Sequence, residues 1–417
     1  MVSLTNPDLV QLTNATQYQA SSRLYTTAVP SVNGLRIAFD FYSYGGTGAD
    51  GLSFFIVDGQ QLQPQPGGFG GSLGYAPIQD NAGVPGGYLG IGFDEFGNFA
   101  NPTEGRVGGK GYTPDAISVR GSAATNYDYL TGTSTLPLSL DNPGASATRE
   151  NSRRRAEVVL SPTGLLTVQV DLNNNGTFTD PGELAVNQFN VTEKNGLLPA
   201  SFRFGFAAAT GRQTNIHEVG NFSVTTFDGT PIPGVFTGDL ITTGGSGNDT
   251  LTGGKGDDIL IGGNGKNTIT GGKGADIFVF SGATQSLALK TSTVRSLNRI
   301  TDFNWSEGDR FRLDYDSNFN TIELPKRLYN VGRVQGKNLQ AALKTAYSDK
   351  LTRKKGSQPL KANEAIFFRF GSRTFLSVND NKASFLAKND LVAEVTGIQF
   401  KPGDTKPGAL VTSNYFI

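Results

Sequence analysis

The sequence predicts an all-β protein, and three observations support this fold class. Glycine occurs 55 times in 417 residues, against one tryptophan, one methionine and one histidine, a composition typical of a turn-rich chain. Residues 35–41 and 166–171 alternate apolar and polar side chains, as half-buried strands do. A nine-residue unit also repeats in the middle of the chain. The length allows two or three domains.

Composition excludes several classes of protein. The chain has no cysteine, so disulfides, thiol nucleophiles and cysteine-bound zinc are ruled out. The opening residues 1–6 have neither a basic nor an apolar signal region, so we expect no N-terminal signal peptide. No apolar run approaches the ~18 residues that cross a bilayer. We therefore expect a soluble protein without membrane insertion.

Charge divides the chain into three segments, although the net charge is zero. Residues 1–232 carry 12 basic and 19 acidic side chains, residues 233–285 carry 3 and 5, and residues 286–417 carry 21 and 12. The net charges are −7, −2 and +9, and we predict three domains with these bounds. An acidic domain suits cations and a basic one an anionic surface, but solvated surface charge explains both equally well.

The central repeat runs four times from Gly244 to Val279. In each unit two glycines permit a tight turn, the sixth position carries Asp or Asn, and the eighth is apolar. The eighth positions are Leu251, Leu260, Ile269 and Phe278. The pattern resembles the calcium-binding nonapeptide of the RTX proteins, and its register argues against a flexible glycine-rich linker.

The RTX resemblance implies a short parallel β-roll that binds Ca²⁺ between units eighteen residues apart. This spacing pairs Asp258 with Asp276, and Asp249 with Asn267. We expect the second pair to bind calcium more weakly, because Asn267 lacks a carboxylate.

Five separated segments of the N-terminal domain, in order, match one family. They are Ala38–Phe41 leading into Gly48–Phe55, Gly67–Tyr75, Gly90–Asn98 with Asn101–Arg106, Phe204–Gly211, and Asn215–Val219. Together they resemble the bacterial branch of the L-type (legume-like) lectins. The resemblance implies a concanavalin-like jelly-roll sandwich with a metal loop beneath a shallow sugar site.

The same resemblance implies a ligand set for one Ca²⁺. Asp94 would supply a carboxylate, Phe96 a backbone carbonyl and Asn98 a side-chain oxygen, all hard donors that suit calcium. Plant members carry a Glu where this chain has Gly92, so we predict one metal instead of two. Glu104 is the candidate for the last acidic ligand.

Other matched residues are implied to hold the sugar. Asp50, after a peptide bond that is cis in the family, would accept hydrogen bonds from sugar hydroxyls. Gly71 would donate a backbone N–H, although Gly70, Gly86 and Gly87 leave the choice of glycine open. Asn98 would also donate to the sugar, Phe96 would stack on it, and residues 211–215, with Gly211 and Arg212, would form the specificity loop.

Two residues and one segment in this half keep two interpretations or have a rival. Asp115 competes with Glu104 as the last metal ligand. His217 is interpreted as a structural histidine with satisfied hydrogen bonds. Residues 171–176, Asp-Leu-Asn-Asn-Asn-Gly, match the start of an EF-hand-type loop, but a hairpin turn explains them equally well.

The residues argue against an enzyme. A laminarinase-type hydrolase needs paired carboxylates on the strand around Asp94, and both outer glutamates are absent. A zinc protease needs His-Glu-x-x-His, which one histidine cannot supply. Residues 70–74 match Gly-x-Ser-x-Gly, but a loop among strands is not a nucleophile elbow.

The C-terminal third resembles two export-related families. Residues 276–282, 298–303 and 307–314 resemble the β-rich cap of type I secreted proteins, whereas 363–369 and 373–380 resemble the bluetail domain of bacterial surface proteins. One helix is predicted at 338–351. We expect a domain for secretion or surface attachment, with the type I secretion machinery as partner.

These patterns together predict a calcium-dependent carbohydrate-binding protein that is exported to the cell surface or medium. Its expected partner is a glycan or polysaccharide, and no nucleic-acid partner is expected. The oligomeric state is not written in the sequence. One alternative is a structural or adhesive surface protein whose sandwich binds no sugar, and a glycan hydrolase is less favoured.

Overall fold

The computed structural model describes residues 5–6, 9–61, 65–232, 239–319 and 321–417. They form two compact units, Met1–Gly247 and Asn248–Ile417. Among the described residues, no helix has the length and apolar character needed to cross a membrane.

The first unit is built almost entirely of strands. They are β1 Thr5–Asn6, β2 Val10–Thr13, β3 Ala20–Tyr25, β4 Val29–Pro30, β5 Leu35–Tyr44, β6 Gly51–Asp58, β7 Gly87–Asp94, β8 Ala116–Arg120, β9 Tyr129–Gly132, β10 Arg153–Leu160, β11 Leu165–Asp171, β12 Leu184–Asn190, β13 Ser201–Ala209, β14 Ile216–Thr225 and β15 Leu240–Thr243, with short helices α1 Arg149–Ser152 and α2 Thr192–Asn195. One sheet has the order β1-β14-β5-β10-β11-β12, with β2 also on β14. In the other, the strands of this unit follow the order β15-β3-β13-β6-β7-β8-β9, with β4 on β13.

The two sheets pack face to face through aromatic side chains. Alternation along β5 buries Ile37, Phe39 and Phe41, as a strand with one inward face requires. The Phe39 ring lies 4.8 Å from that of Phe206 on β13 and 6.2 Å from that of Phe54 on β6. Burying each such side chain contributes about 1.5–3 kcal/mol. The predicted jelly-roll sandwich is confirmed.

Three neighbouring strands of the second sheet end at the same edge. In their antiparallel register, Ala209 at the end of β13 faces Gly51 at the start of β6, and Gly51 faces Asp94 at the end of β7. The segments beyond these ends therefore meet at one edge of the sheet.

The second unit begins with the repeats and continues as a β-rich structure. Its strands are β16 Thr250–Gly254, β17 Ile259–Ile261, β18 Thr268–Gly272, β19 Ile277–Ser281, β20 Asn298–Ile300, β21 Arg310–Asp314, β22 Leu328–Arg333, β23 Ala365–Phe370, β24 Arg373–Val378, β25 Leu391–Val395 and β26 Gly408–Leu410, with helices α3 Gln285–Lys290 and α4 Leu339–Ser348. One sheet has the order β16-β18-β20-β25-β24-β23-β22-β26. The remaining strands of this unit lie in the order β21-β19-β17.

The repeats form the predicted parallel β-roll. Thr250 pairs with Thr268, and Ile259 with Ile277, in parallel registers. The apolar eighth positions of the four units all lie buried in one core. The roll also continues beyond the repeats, because β18 pairs in parallel with β20 and β19 with β21.

The predicted helix at 338–351 is present but shorter, as α4. The Asn338 side chain accepts a hydrogen bond from the N–H of Ala341 and caps its first turn, as expected of Asn at this position. The helix ends at Ser348 because Asp349 has an extended backbone. Leu351, placed on the helix by its apolar spacing, packs against the core from the loop that follows.

Candidate functional site

A cavity of about 320 Å³ opens where β13 and β7 end and β6 begins. It is lined by Tyr18, Ala49, Asp50, Phe69, Gly70, Gly71, Ile78, Phe96, Asn98, Glu104, Gly211, Arg212 and Gln213. The structure thus brings together the six residues expected to hold a sugar, from four separate parts of the sequence. We call this the front cavity.

The predicted metal loop is folded around the carboxylate of Asp94. The N–H of Gly97 donates to Asp94 Oδ1 (2.7 Å) and the N–H of Phe99 to Oδ2 (2.6 Å). Gly97 has a φ of 103°, a conformation that favours glycine. Burial, together with the nearby carboxylates of Asp50 and Glu95, raises the pKa of Asp94 to about 8, although these two hydrogen bonds lower it.

Asp50 presents an unsatisfied buried acceptor. It is 4% exposed, and its Oδ2 has no hydrogen-bond partner among the described residues. Burial raises the pKa of Asp50 to about 7, with a further contribution from Glu95. The Ala49–Asp50 peptide is cis, as the resemblance implied.

Gly71 allows the glycine-rich loop to touch the metal loop. A Cβ added to Gly71 would lie 2.2 Å from Cβ of Asn98, which leaves no room for a side chain. Gly70 also lines the front cavity. The alternatives Gly86 and Gly87 instead lie against Gln61 and Tyr75.

The two candidates for the last acidic ligand differ in position. Glu104 lines the front cavity, where its Oε2 accepts a hydrogen bond from Arg106 at 2.9 Å. Asp115 is not among the lining residues, and its Oδ1 accepts from Ser139 Oγ and the N–H of Leu140, each at 2.9 Å.

Gly92 shows why a plant-like second metal ligand does not fit here. A Cβ at Gly92 would lie 2.4 Å from Cδ1 of Phe99. Phe99 is itself fully buried in a satellite core with Leu73 and Tyr75. A glutamate at this position would have to displace that core.

Two buried arginines hold the loops around the front cavity in place, and neither was predicted from the sequence. Arg106 donates from Nη1 to Ser72 Oγ (2.8 Å) and from Nε to the carbonyl of Asn101 (3.2 Å), which joins the glycine-rich loop to the metal loop. Arg120 is fully buried and donates to the carbonyls of Phe99 (2.7 Å), Val107 (2.6 Å), Tyr127 (2.9 Å) and Gly108 (3.3 Å). Arg106 ends a matched segment and Arg120 lies outside all of them, but nothing in the sequence indicated this role for either residue.

Glu95 was also missed, and it explains the environment of His217. His217 is fully buried, with Nε2 at 3.0 Å from Glu95 Oε1 and Nδ1 at 2.6 Å from Thr13 Oγ1. Asn215 donates to the other oxygen of Glu95 at 2.8 Å. Burial alone would raise the pKa of Glu95, but His217 and these hydrogen bonds lower it. Both ring nitrogens have partners, so the structural interpretation of His217 is confirmed.

Aromatic rings flank the front cavity on two sides. Tyr18 and Phe69 form an edge-to-face pair with centroids 5.6 Å apart, and Phe96 forms another with Tyr112 at 5.7 Å. Only Phe96 was singled out from the sequence. Tyr18 reaches the cavity because its N–H donates to the carbonyl of Gly211 at 3.1 Å.

The donors in the front cavity, together with Asp94 beside Asp50, fit calcium. Asp94 offers a carboxylate, Asn98 an amide oxygen and Phe96 a backbone carbonyl, which are the hard oxygen ligands that calcium takes. Two buried carboxylates with raised pKa values, Asp94 and Asp50, lie in this region. A divalent cation beside them would stabilise their ionised forms.

The β-roll has two kinds of turn. In the turn that ends at Asp276, Oδ1 accepts from the N–H of Asp258 at 3.0 Å, while Oδ2 is buried without a hydrogen-bond partner among the described residues. In the turn that ends at Asn267, Oδ1 accepts from the N–H of Asp249 at 2.8 Å. The Asn267 amide nitrogen, however, donates to the carbonyl of Gly262 at 2.7 Å.

The loop at 171–183 is a hairpin connection between β11 and β12. Asp171 accepts from the N–H groups of Asn175 (3.1 Å) and Gly176 (2.9 Å). Glu183 accepts from those of Leu172 (3.0 Å) and Asp180 (2.9 Å). The two carboxylates thus hold the turn of the hairpin.

Residues 243–278 match the family model of the RTX calcium-binding nonapeptide repeat, in four copies. The chain is therefore a calcium-binding protein with RTX repeats and Ca²⁺ as its cofactor, and its first unit has the jelly-roll sandwich fold described above. No curated protein matches the sequence.

Several solved structures are similar to the chain. One is the exoplasmic/lumenal domain of VIP36 bound to Ca²⁺ and mannose, at 19% identity over 52% of this chain and 78% of that one, with a TM-score of 0.34. Another is the lectin from Bauhinia forficata in complex with GalNAc, at 18% identity over 54% and 99%, with a TM-score of 0.37. A third is the Lotus tetragonolobus seed lectin, at 20% identity over 54% and 97%, with a TM-score of 0.37.

Proposed function

We propose that the first unit binds one sugar residue of a glycan in the front cavity, and that this binding depends on calcium. The observation that carries the proposal is the buried Oδ2 of Asp50, which lines the cavity without a hydrogen-bond partner among the described residues. An unsatisfied buried acceptor costs about 1–3 kcal/mol. A sugar hydroxyl would supply the missing donor.

The surrounding groups complete a site for a polar ring. Asn98 and Gly71 line the front cavity together with Asp50, and the Asn98 side chain and the Gly71 N–H would bond further hydroxyls. Phe96, Phe69 and Tyr18 offer apolar faces and edges for the C–H side of a sugar. Calcium, held by Asp94, Phe96 and Asn98, with Glu104 as the candidate acidic ligand, would supply positive charge that fixes the metal loop.

The proposed mechanism is equilibrium binding without chemistry. Gly211 and Arg212, in the specificity loop, lie against the cavity and would select among sugars. A shallow site of this kind binds weakly, so high avidity would require several copies of the protein or of the sugar. Under this proposal the protein is not an enzyme.

We also propose that the three segments divide the work of an exported protein. Residues 1–232 would bind sugar, 233–285 would form the calcium-dependent β-roll, and 286–417 would serve type I secretion or surface attachment. Support comes from the RTX repeats, since metal sites that form only on folding couple folding to the available calcium. The chain would then fold after export to the cell surface or medium.

The test is a glycan array probed with the full chain, first with calcium and then with EGTA. Asp50→Asn keeps the side-chain shape but removes the charge. Losing a hydrogen bond to a charged acceptor costs about 1.5–3 kcal/mol, so sugar affinity should fall about tenfold or more. Asp58→Asn is the matched control, because Asp58 is exposed at the end of β6, the strand that begins directly after Asp50.

The proposal requires that the Asp58 variant bind as the wild type does and that EGTA abolish binding. Binding that survives in both EGTA and Asp50→Asn would place the sugar elsewhere. A folded, calcium-loaded chain that binds no glycan would leave the sandwich as an adhesive scaffold.

A further inference from the structure

A second cavity lies in the second unit, away from the repeats. Its volume is about 660 Å³, and the polar and charged residues that line it include Lys326, Arg327, Lys350, Gln358, Lys361 and Glu364. We call it the basic cleft. Backbone hydrogen bonds fix its walls, from the N–H of Lys326 to the carbonyl of Asn363 (2.7 Å) and from the N–H of Lys350 to that of Gln358 (2.9 Å).

Charge is strongly unbalanced in the basic cleft. Four basic side chains line it against one carboxylate, Glu364, for a net charge of +3. Glu364 is 4% exposed and is already bonded to Lys350 Nζ and to the N–H of Lys361. Lys326 and Lys361 are exposed and form no ion pair with any residue that the structure describes. The cleft therefore attracts anions.

The positive surface extends onto the neighbouring loop. Lys350 and Gln358 close a loop whose tip carries Arg353, Lys354 and Lys355, all exposed. Solvated charge spread evenly over a domain would not place three consecutive cations beside a cleft with a net positive charge. An extended polyanion could contact the cleft and the tip together.

One neutral side chain, that of Gln358, distinguishes a ligand with hydroxyl groups from a bare anion. The Gln358 side chain donates from Nε2 to the carbonyl of Lys355 at 2.9 Å. Its Oε1 is buried and accepts no hydrogen bond from the described residues. A bare anion has no donor for this oxygen, whereas a hydroxyl group has one.

Nucleic acid fits the basic cleft less well. Single strands bind by stacking bases on exposed aromatic rings along a basic groove. Tyr329 is the one aromatic residue that lines the cleft; it is 3% exposed and lies beneath Lys350, whose Nζ is 4.6 Å from its ring centroid. No ring is available there for a base.

We propose that the basic cleft binds an anionic polysaccharide, a hydroxylated sugar chain that carries carboxylate, sulfate or phosphate groups. Lys326, Arg327 and Lys361 contact the anionic groups, and Gln358 accepts a hydroxyl. The site is separate from the front cavity and does not depend on the function proposed there. It gives the basic third of the chain an anionic glycan as partner.

The test compares binding of the full chain, in calcium, to dextran sulfate and to unmodified dextran of the same length. The two polymers share a backbone, so any difference reports the anionic groups. The variant is Lys326→Ser/Arg327→Ser/Lys361→Ser. The control, Lys382→Ser/Lys388→Ser/Lys406→Ser, removes the same charge from exposed positions outside the cleft.

We expect the cleft variant to lose about tenfold in affinity for dextran sulfate and the control to lose less than about twofold. An equal loss in both variants would overturn the proposal, because it would mean that net charge alone attracts the polymer. Equal binding of unmodified dextran, or no loss in a cleft variant whose thermal unfolding matches the wild type, would also overturn it.

Linear polyphosphate and a single-stranded oligonucleotide test the chemistry of the ligand. Both should bind more weakly than dextran sulfate, because polyphosphate lacks hydroxyls and the cleft offers no exposed ring. Gln358→Met should weaken dextran sulfate without changing polyphosphate. Tighter binding of either probe, or an equal effect of Gln358→Met on both polymers, would contradict an anionic sugar chain as the ligand.

Discussion

At the residue scale, the front cavity depends on contacts that tolerate no added atoms. Gly71 touches Asn98 so closely that a methyl group has no space, and Asn98 belongs to both the predicted metal site and the predicted sugar site. A change at this glycine should therefore displace a residue that serves both partners. The buried arginines Arg106 and Arg120 hold the same loops in place through their hydrogen bonds.

We predict that Gly71→Ala weakens sugar binding and also destabilises the first unit, because the added Cβ would lie 2.2 Å from Cβ of Asn98. Overpacking costs about 1–3 kcal/mol. If displacement of Asn98 costs sugar binding a similar free energy, the affinity for sugar falls about tenfold. Titration of the full chain with the glycan identified on the array measures the effect. Gly408→Ala is the control, since a Cβ at Gly408 meets nothing within 4 Å. Unchanged affinity in Gly71→Ala would show that the Gly71–Asn98 contact is dispensable.

We predict that Arg120→Met destabilises the first unit by about 3 kcal/mol or more, because four carbonyls lose a buried donor. Arg36→Met should cost less than about 1 kcal/mol, because its ion pair with Glu157 is solvent-exposed on the arginine side. Urea unfolding of the full chain, followed by tryptic protection of the first unit, measures both. Similar costs for the two variants would contradict a bracing role for Arg120.

The sequence predicted the site residues to which the family resemblance gives a role, but not every site residue within the matched segments. Asp50, Gly71, Asn98 and Gly211 line one cavity, as their resemblance implied. Tyr18 and Arg106 were missed because each acts through a contact between distant segments. No local periodicity marks such contacts, so only the fold reveals them.

At the element scale, the β-roll contains one turn that holds itself together and one that leaves a buried oxygen unpaired. The amide of Asn267 bonds the carbonyl of Gly262, whereas Asp276 Oδ2 has no hydrogen-bond partner among the described residues. We therefore expect the absence of a carboxylate at Asn267 to weaken calcium binding there but to stabilise that turn without metal. Mutations of Asn267 and of Asp276 should therefore have opposite effects, both on the stability of the calcium-free roll and on the protection that calcium adds.

We predict that Asn267→Asp destabilises the calcium-free roll by about 1–3 kcal/mol, since it removes a donor and adds a buried charge. It should also increase the protection gained when calcium is added. Asp276→Asn should do the reverse on both counts. Hydrogen exchange of peptides from 244–281 in the full chain, with calcium and with EGTA, measures both effects. If the two variants changed protection in the same direction, the contrast between the turns would be wrong.

Periodicity decided how much of this element was predictable. The four units repeat every nine residues, so the roll and its apolar column followed from spacing. Its extension did not, because the N–H of Asp276 bonds Asp309 at a separation of 33 residues and that of Asn267 bonds Asn298 at 31. An interval of eighteen residues links the earlier turns. Irregular intervals leave no repeat to detect.

At the scale of the whole molecule, the chain combines an acidic N-terminal segment with a basic C-terminal one. The front cavity and the β-roll would each use calcium, while the basic cleft would use charge alone. Calcium removal should therefore weaken sugar binding in the front cavity and reduce the order of the roll. It should not weaken the binding of an anionic polysaccharide in the basic cleft. The two calcium systems can be separated by mutation, because their predicted ligands do not overlap.

The most direct test of the account measures glycan binding by the full chain as a function of free calcium, in wild type, Asp94→Asn and Asp258→Asn/Asp276→Asn. We predict that Asp94→Asn abolishes calcium-dependent binding, because it removes the carboxylate around which the metal loop is folded. The double variant should keep binding at the wild-type calcium midpoint. Binding that is independent of calcium, or that is lost in the roll variant and kept in Asp94→Asn, would contradict a calcium-dependent sugar site in the front cavity.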